Sequence, residues 1–265
     1  MRIEGADVLR NGGLMSHAHG FSPRRISMLA TLCVVALAGC RSGSSKQTRD
    51  SDEDEDETEM PQTMSAPLPQ QSVRWGFDSA RVGEPPAAFS FGRTGSGRLG
   101  RWVVRAAPDA PSGPNVLGQE DSDRTDYRFP VAVAALPTFR DLSLSVRCKP
   151  VSGHVHQACG LVWRYRDEND YYLTRANALE DNVRFYYVQN GRRVQLRGWN
   201  GKVASGVWHS LRADMRGDHV EVFFDDQKVI DAHDTRFGEP GKVGVWTKAD
   251  SHTLFDNLTA TELAP

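Results

Sequence analysis

The sequence predicts a single all-β domain, a two-sheet antiparallel β-sandwich or jelly roll over residues 73–265, behind an export segment and a tether. Three observations predict it. From Trp75 onward, short apolar runs recur between Gly, Pro, Asn and Asp. No long stretch shows the i, i+3, i+4 spacing of an amphipathic helix, and the clearest runs alternate apolar with polar residues, the period of a half-buried strand. A domain of this size buries roughly 70% of its unfolded surface and needs no metal or disulfide to fold.

The whole chain carries a formal net charge of −2, with 39% hydrophobic and 25% charged residues. That is ordinary globular composition, and without a basic surplus a nucleic-acid partner is not expected.

In chain order, the first element is an export signal. Arg24 and Arg25 precede Ile26 to Gly39, 14 uncharged residues rich in Leu, Val and Ala, which supply the basic and apolar regions of a secretory signal. A membrane core of ~30 Å needs about 20 helical residues, so this run is a removable signal and not a span. Leu37-Ala38-Gly39-Cys40 resembles the bacterial lipobox, in which small residues admit the signal peptidase and the following thiol is acylated. The resemblance implies a signal peptide over residues 1–39, lipid on Cys40 and tethering to a membrane. Arg41 in place of Asp implies, for a Gram-negative host, the outer membrane. Met15 opens a signal of more usual length than Met1. Arg24-Arg25 also suggests a twin-arginine signal, although Ser27 falls where that signal has a bulky apolar residue.

Residues 40–72 read as a flexible tether. Asp50 to Glu59 holds eight acids in ten residues, a block that repels itself and stays solvated, and the flanks are too poor in large apolar residues to offset the entropy of ordering. As an expanded coil, 32 or so residues reach on the order of 30 Å.

The clearest strands lie late. Leu211, Ala213 and Met215 alternate with Arg212, Asp214 and Arg216, and a turn at Arg216-Gly217-Asp218 leads into Val220, Val222 and Phe224. This is a hairpin with one wet face. Asp225-Asp226 turns into Val229-Ile230, and Val243 to Trp246 and Leu254-Phe255 add two strands. Earlier, if Cys148 faces Cys159, then Val146 faces Leu161, Leu144 faces Trp163 and Leu142 faces Tyr165, all apolar or aromatic pairs. That register predicts a hairpin through Val151 to Gln157, in which Cys148 and Cys159 either form a disulfide or remain buried thiols.

Gly160 to Asp167 (GLVWRYRD), Asn169 to Tyr172, Arg175 to Asn177, Gly241 to Trp246 and Phe255 to Asn257 together resemble the concanavalin A-like lectin/glucanase superfamily, specifically its laminin-G-like domains of the 3-keto-disaccharide hydrolase-like, family 16 glycoside hydrolase-like kind. The likeness covers about Trp75 to Ala260 and is specific for fold but not for function, because one scaffold hosts lectins, glycosidases and adhesion modules. It implies a concanavalin A-like jelly roll whose concave sheet holds a carbohydrate, with residues Trp163 to Asn177 on or beside it.

Strand parity puts Tyr171, Leu173, Arg175 and Asn177 on one side and Tyr172, Thr174, Ala176 and Ala178 on the other, where the smaller set suits the core. Tyr171, Arg175 and Asn177 then face the groove, supplying the aromatic and planar hydrogen-bonding groups that sugars require. Trp163, Arg164, Tyr165, Trp199 and Trp246 are further ligand candidates, each aromatic also fitting plain core packing. The Glu-x-Asp-x-x-Glu strand of catalytic laminarinase-type members does not occur; among the other carboxylates near the motif, Asp167, Glu168, Asp170, Glu180 and Asp181, most read as turn caps. Glu180, at the end of the proposed sugar face, is the catalytic candidate. His154 and His156 fall in the proposed hairpin loop and read as solvated, with no third metal ligand evident. Gly95 to Gly100 matches a dinucleotide fingerprint by letter but precedes a strand, so it reads as a loop. By resemblance, a structural Ca2+ near the chain ends would draw on Asp78 and Asp256. The leading expectation is a lipid-anchored envelope protein that binds a glycan or glycoside without cleaving it. The rivals are hydrolysis of a glycoside or 3-keto-disaccharide, and a protein-interaction module with an envelope protein partner.

Overall fold

A computed structural model describes residues 71–264; the export signal, Cys40 and the acidic tether lie outside the described residues. Fifteen strands follow one another: β1 (Ser72–Trp75), β2 (Phe89–Gly95), β3 (Trp102–Ala106), β4 (Asn115–Gln119), β5 (Arg128–Ala134), β6 (Leu142–Ser152), β7 (Ala158–Asp167), β8 (Asp170–Asn177), β9 (Asn182–Gln189), β10 (Arg192–Asn200), β11 (His209–Arg216), β12 (His219–Phe224), β13 (Gln227–His233), β14 (Lys242–Trp246) and β15 (His252–Glu262). They form two antiparallel sheets. One is ordered β13-β12-β11-β6-β15-β4-β3, with β1 also pairing β15; the other is ordered β10-β9-β8-β7-β14-β5-β2. Among the described residues there is no helix.

Strict alternation builds the first sheet. In β6, Leu142, Leu144, Val146 and Cys148 are buried while the intervening residues are half-buried, so one face meets the core and one meets water. The hairpins β11–β12 and β12–β13 form with Gly217 at φ 57° and with Asp225 and Asp226 at φ 46° and 66°. Asp tolerates this left-handed region better than most residues, which places the turns where the sequence does.

The second sheet is buried on both faces. Its inner residues, among them Leu161, Trp163, Tyr172, Ala176, Phe185 and Val245, join the inter-sheet core. Its outer residues form a separate apolar cluster that includes Phe129, Val131, Val162, Tyr171, Leu173, Tyr186 and Trp246. Curvature explains this. Arg193 on β10 packs its guanidinium 4.4 Å from the ring centre of Phe129 on β5, yet the two strands are five places apart in the sheet order. In a flat sheet that separation is about 24 Å. The sheet therefore curls, and its outer face is concave.

The β6–β7 connection corrects the expected hairpin. β6 pairs with β11 and β15 in one sheet, and β7 pairs with β8 and β14 in the other, so Val151 to Gln157 carries the chain across the sandwich. Leu142, Leu144, Val146 and Cys148 do face the same core as Cys159, Leu161 and Trp163, but across it. Alternation specifies which face is apolar and not which strand lies opposite. Cys148 and Cys159, with Cα atoms 6.2 Å apart, form a disulfide that ties the two sheets together. Closing so short a loop restricts the unfolded chain by about 3 kcal/mol. A Cys148→Ala/Cys159→Ala variant is expected to lose roughly that much stability in urea titrations, and a midpoint equal to that of the wild type would refute it.

A β-bulge in β7 accounts for a second departure from simple parity. Arg164 takes φ 43° and the β7–β8 register slips between Trp163 and Asp167, which turns the next side chain over. Tyr165 thus joins Tyr171 on the concave face, ring centres 5.5 Å apart, while Trp163 stays inside, its ring centre 5.7 Å from those of Tyr172 and Phe185.

Candidate functional site

At one end of the concave face, four connections converge: the β4–β5 loop, the β6–β7 crossing, the β8–β9 turn and the β14–β15 loop. The site is built from their side chains and from the strand ends beneath. Gly160 on β7 makes room, because a Cβ there would lie 3.1 Å from the Trp246 ring and 3.2 Å from Arg175 Cβ. Trp246, Phe129 and Tyr186 supply the aromatic floor.

Arg175, 5% exposed, lies on that floor and is fully engaged. Its Nη2 donates to Glu180 Oε2 at 2.7 Å and to the Tyr186 hydroxyl at 3.1 Å, and its Nη1 donates to Asn182 Oδ1. Glu180 Oε2 also accepts from Asn182 Nδ2 at 3.1 Å. The arginine thereby holds a half-exposed carboxylate at the rim, as an isolated buried cation could not be accommodated.

The β6–β7 crossing brings in His156. Asp250 accepts the backbone N–H groups of His154, Val155 and His156 at 2.8, 2.9 and 3.2 Å, fixing this loop against the β14–β15 loop. The His156 ring is buried, with Nε2 3.1 Å from Asp126 Oδ1. Its Nδ1 lies 2.9 Å from Asn177 Nδ2 and 3.3 Å from Glu180 Oε1. Asn177 Oδ1 already accepts from Leu179 N and Gln157 N, so its amide nitrogen is the group turned toward the ring. A neutral imidazole accepts from Asn177; an imidazolium donates to Glu180. Asp126 Oδ1 also accepts from Lys248 Nζ at 2.8 Å.

Both rim carboxylates are held ionised. His156 first, then Arg175 and Asn182, keep Glu180 well below the usual carboxylate range. Lys248, followed by His156, lowers Asp126. Burial draws the Lys248 ammonium down, but its contact with Asp126 opposes that shift. On the far wall Tyr127 accepts the Arg193 backbone N–H at 2.7 Å and donates to Gly191 O at 3.1 Å. The Arg193 guanidinium lies over Phe129, Tyr186 and Trp246, and its buried Nη1 has no acceptor among the described residues. The guanidinium thus packs as a cation over these rings and closes the floor of the concave face.

Of the residues singled out by sequence, Arg175, Asn177 and Glu180 come together here and Trp246 forms the floor. Tyr171 lies further along the same face, its hydroxyl 2.7 Å from Thr94 Oγ1. Three candidates lie elsewhere. Trp163 donates its indole N–H to Met215 Sδ inside the core. Trp199 packs at the edge of the inner core against Phe224. Arg164 is turned away by its bulge to bond the carbonyls of Arg140, Phe237 and Gly217 together with Asp141. Asp78 and Asp256 flank the loop before β4, where Asp78 accepts from Asn115 N and Asp256 from Ser112 N. Asp126, Tyr127, His156, Asn182, Tyr186, Arg193 and Lys248 were not legible as site residues; the single signal was the His-x-His pair.

A two-sheet antiparallel sandwich with a strongly curved outer face has the concanavalin A-like jelly-roll fold. No family model matches the chain. The carbohydrate binding module CBM66 from Bacillus subtilis superposes with a TM-score of 0.51 at 21% identity, covering 64% of this chain and 94% of that one. The exoplasmic/lumenal domain of VIP36 in its Ca2+/Man-bound form gives 0.51 at 12% identity, covering 73% and 90%. By sequence, a levanase of Bacillus subtilis (strain 168) is 31% identical over 96 residues, which is 36% of this chain and 14% of the levanase. The match therefore takes in a small part of that relative's length.

Proposed function

We propose that this is a lipid-anchored protein of the bacterial cell envelope, placed in the outer membrane through Cys40, whose jelly roll binds a glycan without cleaving it. The observation that carries the reading is the rim above Arg175, where two ionised and accessible carboxylates, Asp126 and Glu180, stand over a concave, aromatic-packed face. Sugars are bound by such planar hydrogen-bonding groups over apolar faces. The levanase likeness makes levan the first ligand to try.

The same electrostatics argue against glycoside hydrolysis. A general acid must keep its proton near neutral pH, which requires a raised pKa. Glu180 and Asp126 are both shifted the other way. Neither rim carboxylate then serves as the general acid, and both suit accepting from sugar hydroxyls.

The test is calorimetric titration of the purified protein with levan and a panel of oligosaccharides and 3-keto-disaccharides, with chromatography to follow released sugar. Binding without release is expected. Glu180→Gln should weaken binding about tenfold, as expected for losing hydrogen bonds to a charged acceptor. Because Glu180 is depressed in the folded state, its contribution to stability is present above the ordinary value of 4.5 and is lost progressively as the pH falls below it, whereas the folded protein keeps the carboxylate ionised well below 4.5, so the Glu180-dependent part of the affinity should hold through mildly acidic pH. Released sugar that disappears in Glu180→Gln would overturn the non-catalytic reading.

A further inference from the structure

The outer face of the other sheet carries a second, unrelated constellation at its free edge. β12 and β13 pair in antiparallel register with His219 opposite His233 and Glu221 opposite Asp231. Val220, Val222, Ile230 and Ala232 take the core, so strand alternation sends His219, Glu221, Asp231 and His233 together to the solvent side. The two imidazole rings stack with centroids 4.6 Å apart and planes 15° from parallel. One ligand atom from each of His219, Asp231 and His233 lies within 4.8 Å of the others.

Neighbouring side chains hold His233 and Asp231 in place by hydrogen bonds to the atoms a metal would not use. Asp218 Oδ1 lies 3.3 Å from His233 Nδ1, which leaves Nε2 as the donor facing outward. Lys228 Nζ lies 2.9 Å from Asp231 Oδ2 and 2.9 Å from Glu221 Oε1, which fixes the Asp231 carboxylate with Oδ1 directed at His219 Nε2, 2.9 Å away. From this arrangement we propose that His219, His233 and Asp231 bind one divalent transition-metal ion of the Zn2+ or Cu2+ class. Imidazole with carboxylate suits those ions, whereas all-oxygen sites suit Ca2+ and Mg2+. In a tetrahedral Zn2+ site with bonds of about 2.0–2.1 Å, donor atoms sit about 3.4 Å apart. The exposed side chains reach that spacing by small rotations about their own bonds, and the fourth position opens to solvent at the sheet edge. The ion would lie on the sheet opposite the glycan face, so neither proposal depends on the other.

The test is titration of the purified protein with Zn2+ by calorimetry, alongside His219→Ala, His233→Ala and the double variant, each checked for an unchanged fold by circular dichroism. The chain has eight histidines, so the readout is the loss of one site from the stoichiometry. With Cu2+, electron paramagnetic resonance should show a two-nitrogen signature that either single variant removes. Asp218→Asn, which leaves all three ligands in place, should weaken Zn2+ about tenfold. A double variant that binds the same number of Zn2+ ions with the same affinity as the wild type would overturn the proposal.

Discussion

Replacing Arg175 with alanine is expected to weaken glycan binding by about 10- to 100-fold, the range for losing charge-assisted hydrogen bonds at a site. Arg175 lies beneath the rim and holds the carboxylate presented there. Without it Glu180 loses its guanidinium partner, Asn182 and Tyr186 lose a shared donor, and the rim geometry relaxes. Arg175→Lys separates charge from shape. An ammonium restores the charge but cannot reach Glu180, Asn182 and Tyr186 with one planar fork, so it should recover only part of the affinity. The folded state should lose about 1–3 kcal/mol in the alanine variant, as buried acceptors are left unmatched. Unchanged affinity in a folded Arg175→Ala protein would remove Arg175 from the binding face.

The largest effect on stability is expected from Arg164→Ala. This guanidinium is 1% exposed and bonds three backbone carbonyls, those of Arg140, Phe237 and Gly217, as well as Asp141. It fastens the segment before β6, the β11–β12 turn and the segment before β14 to the bulge in β7. Asp141 is itself buried and also accepts from Gly217 N. Removing the cation strands a buried carboxylate and three carbonyls, which costs about 3–5 kcal/mol. Urea unfolding should show the loss, and ligand affinity of the remaining folded protein should be near that of the wild type, because Arg164 lies outside the binding face. A loss below about 1 kcal/mol would show that the staple is replaceable.

The late hairpins were legible because each depends on neighbouring residues alone: alternation from Leu211 to Phe224 fixes the buried face, and Gly217 or Asp225-Asp226 fixes the turn. The side of β8 that bears Tyr171, Arg175 and Asn177 was legible for the same reason. The site was less so. His156, Asp126 and Lys248 belong to three loops far apart in the sequence, and none has a local pattern that distinguishes it from a solvated loop residue. His156 is instead buried by the crossing from β6 to β7, held against the β14–β15 loop by Asp250.

Trp163 and Arg164 show why composition misleads at such positions. Aromatic and guanidinium groups are what a sugar site needs, but they are also what a sandwich uses to fill its core and to satisfy carbonyls at its strand ends. A bulge at one residue turned Arg164 sideways and Tyr165 onto the concave face, while Trp163 kept the inward side that alternation gives it. By itself the sequence determined the all-β class, the strand faces and the local turns, because alternation and turn chemistry act over a few residues. The tertiary structure decided the pairing of β6 and β7 with other strands, the curl that makes one face concave, and the meeting of four loops at its end, because each depends on contacts between residues distant along the chain.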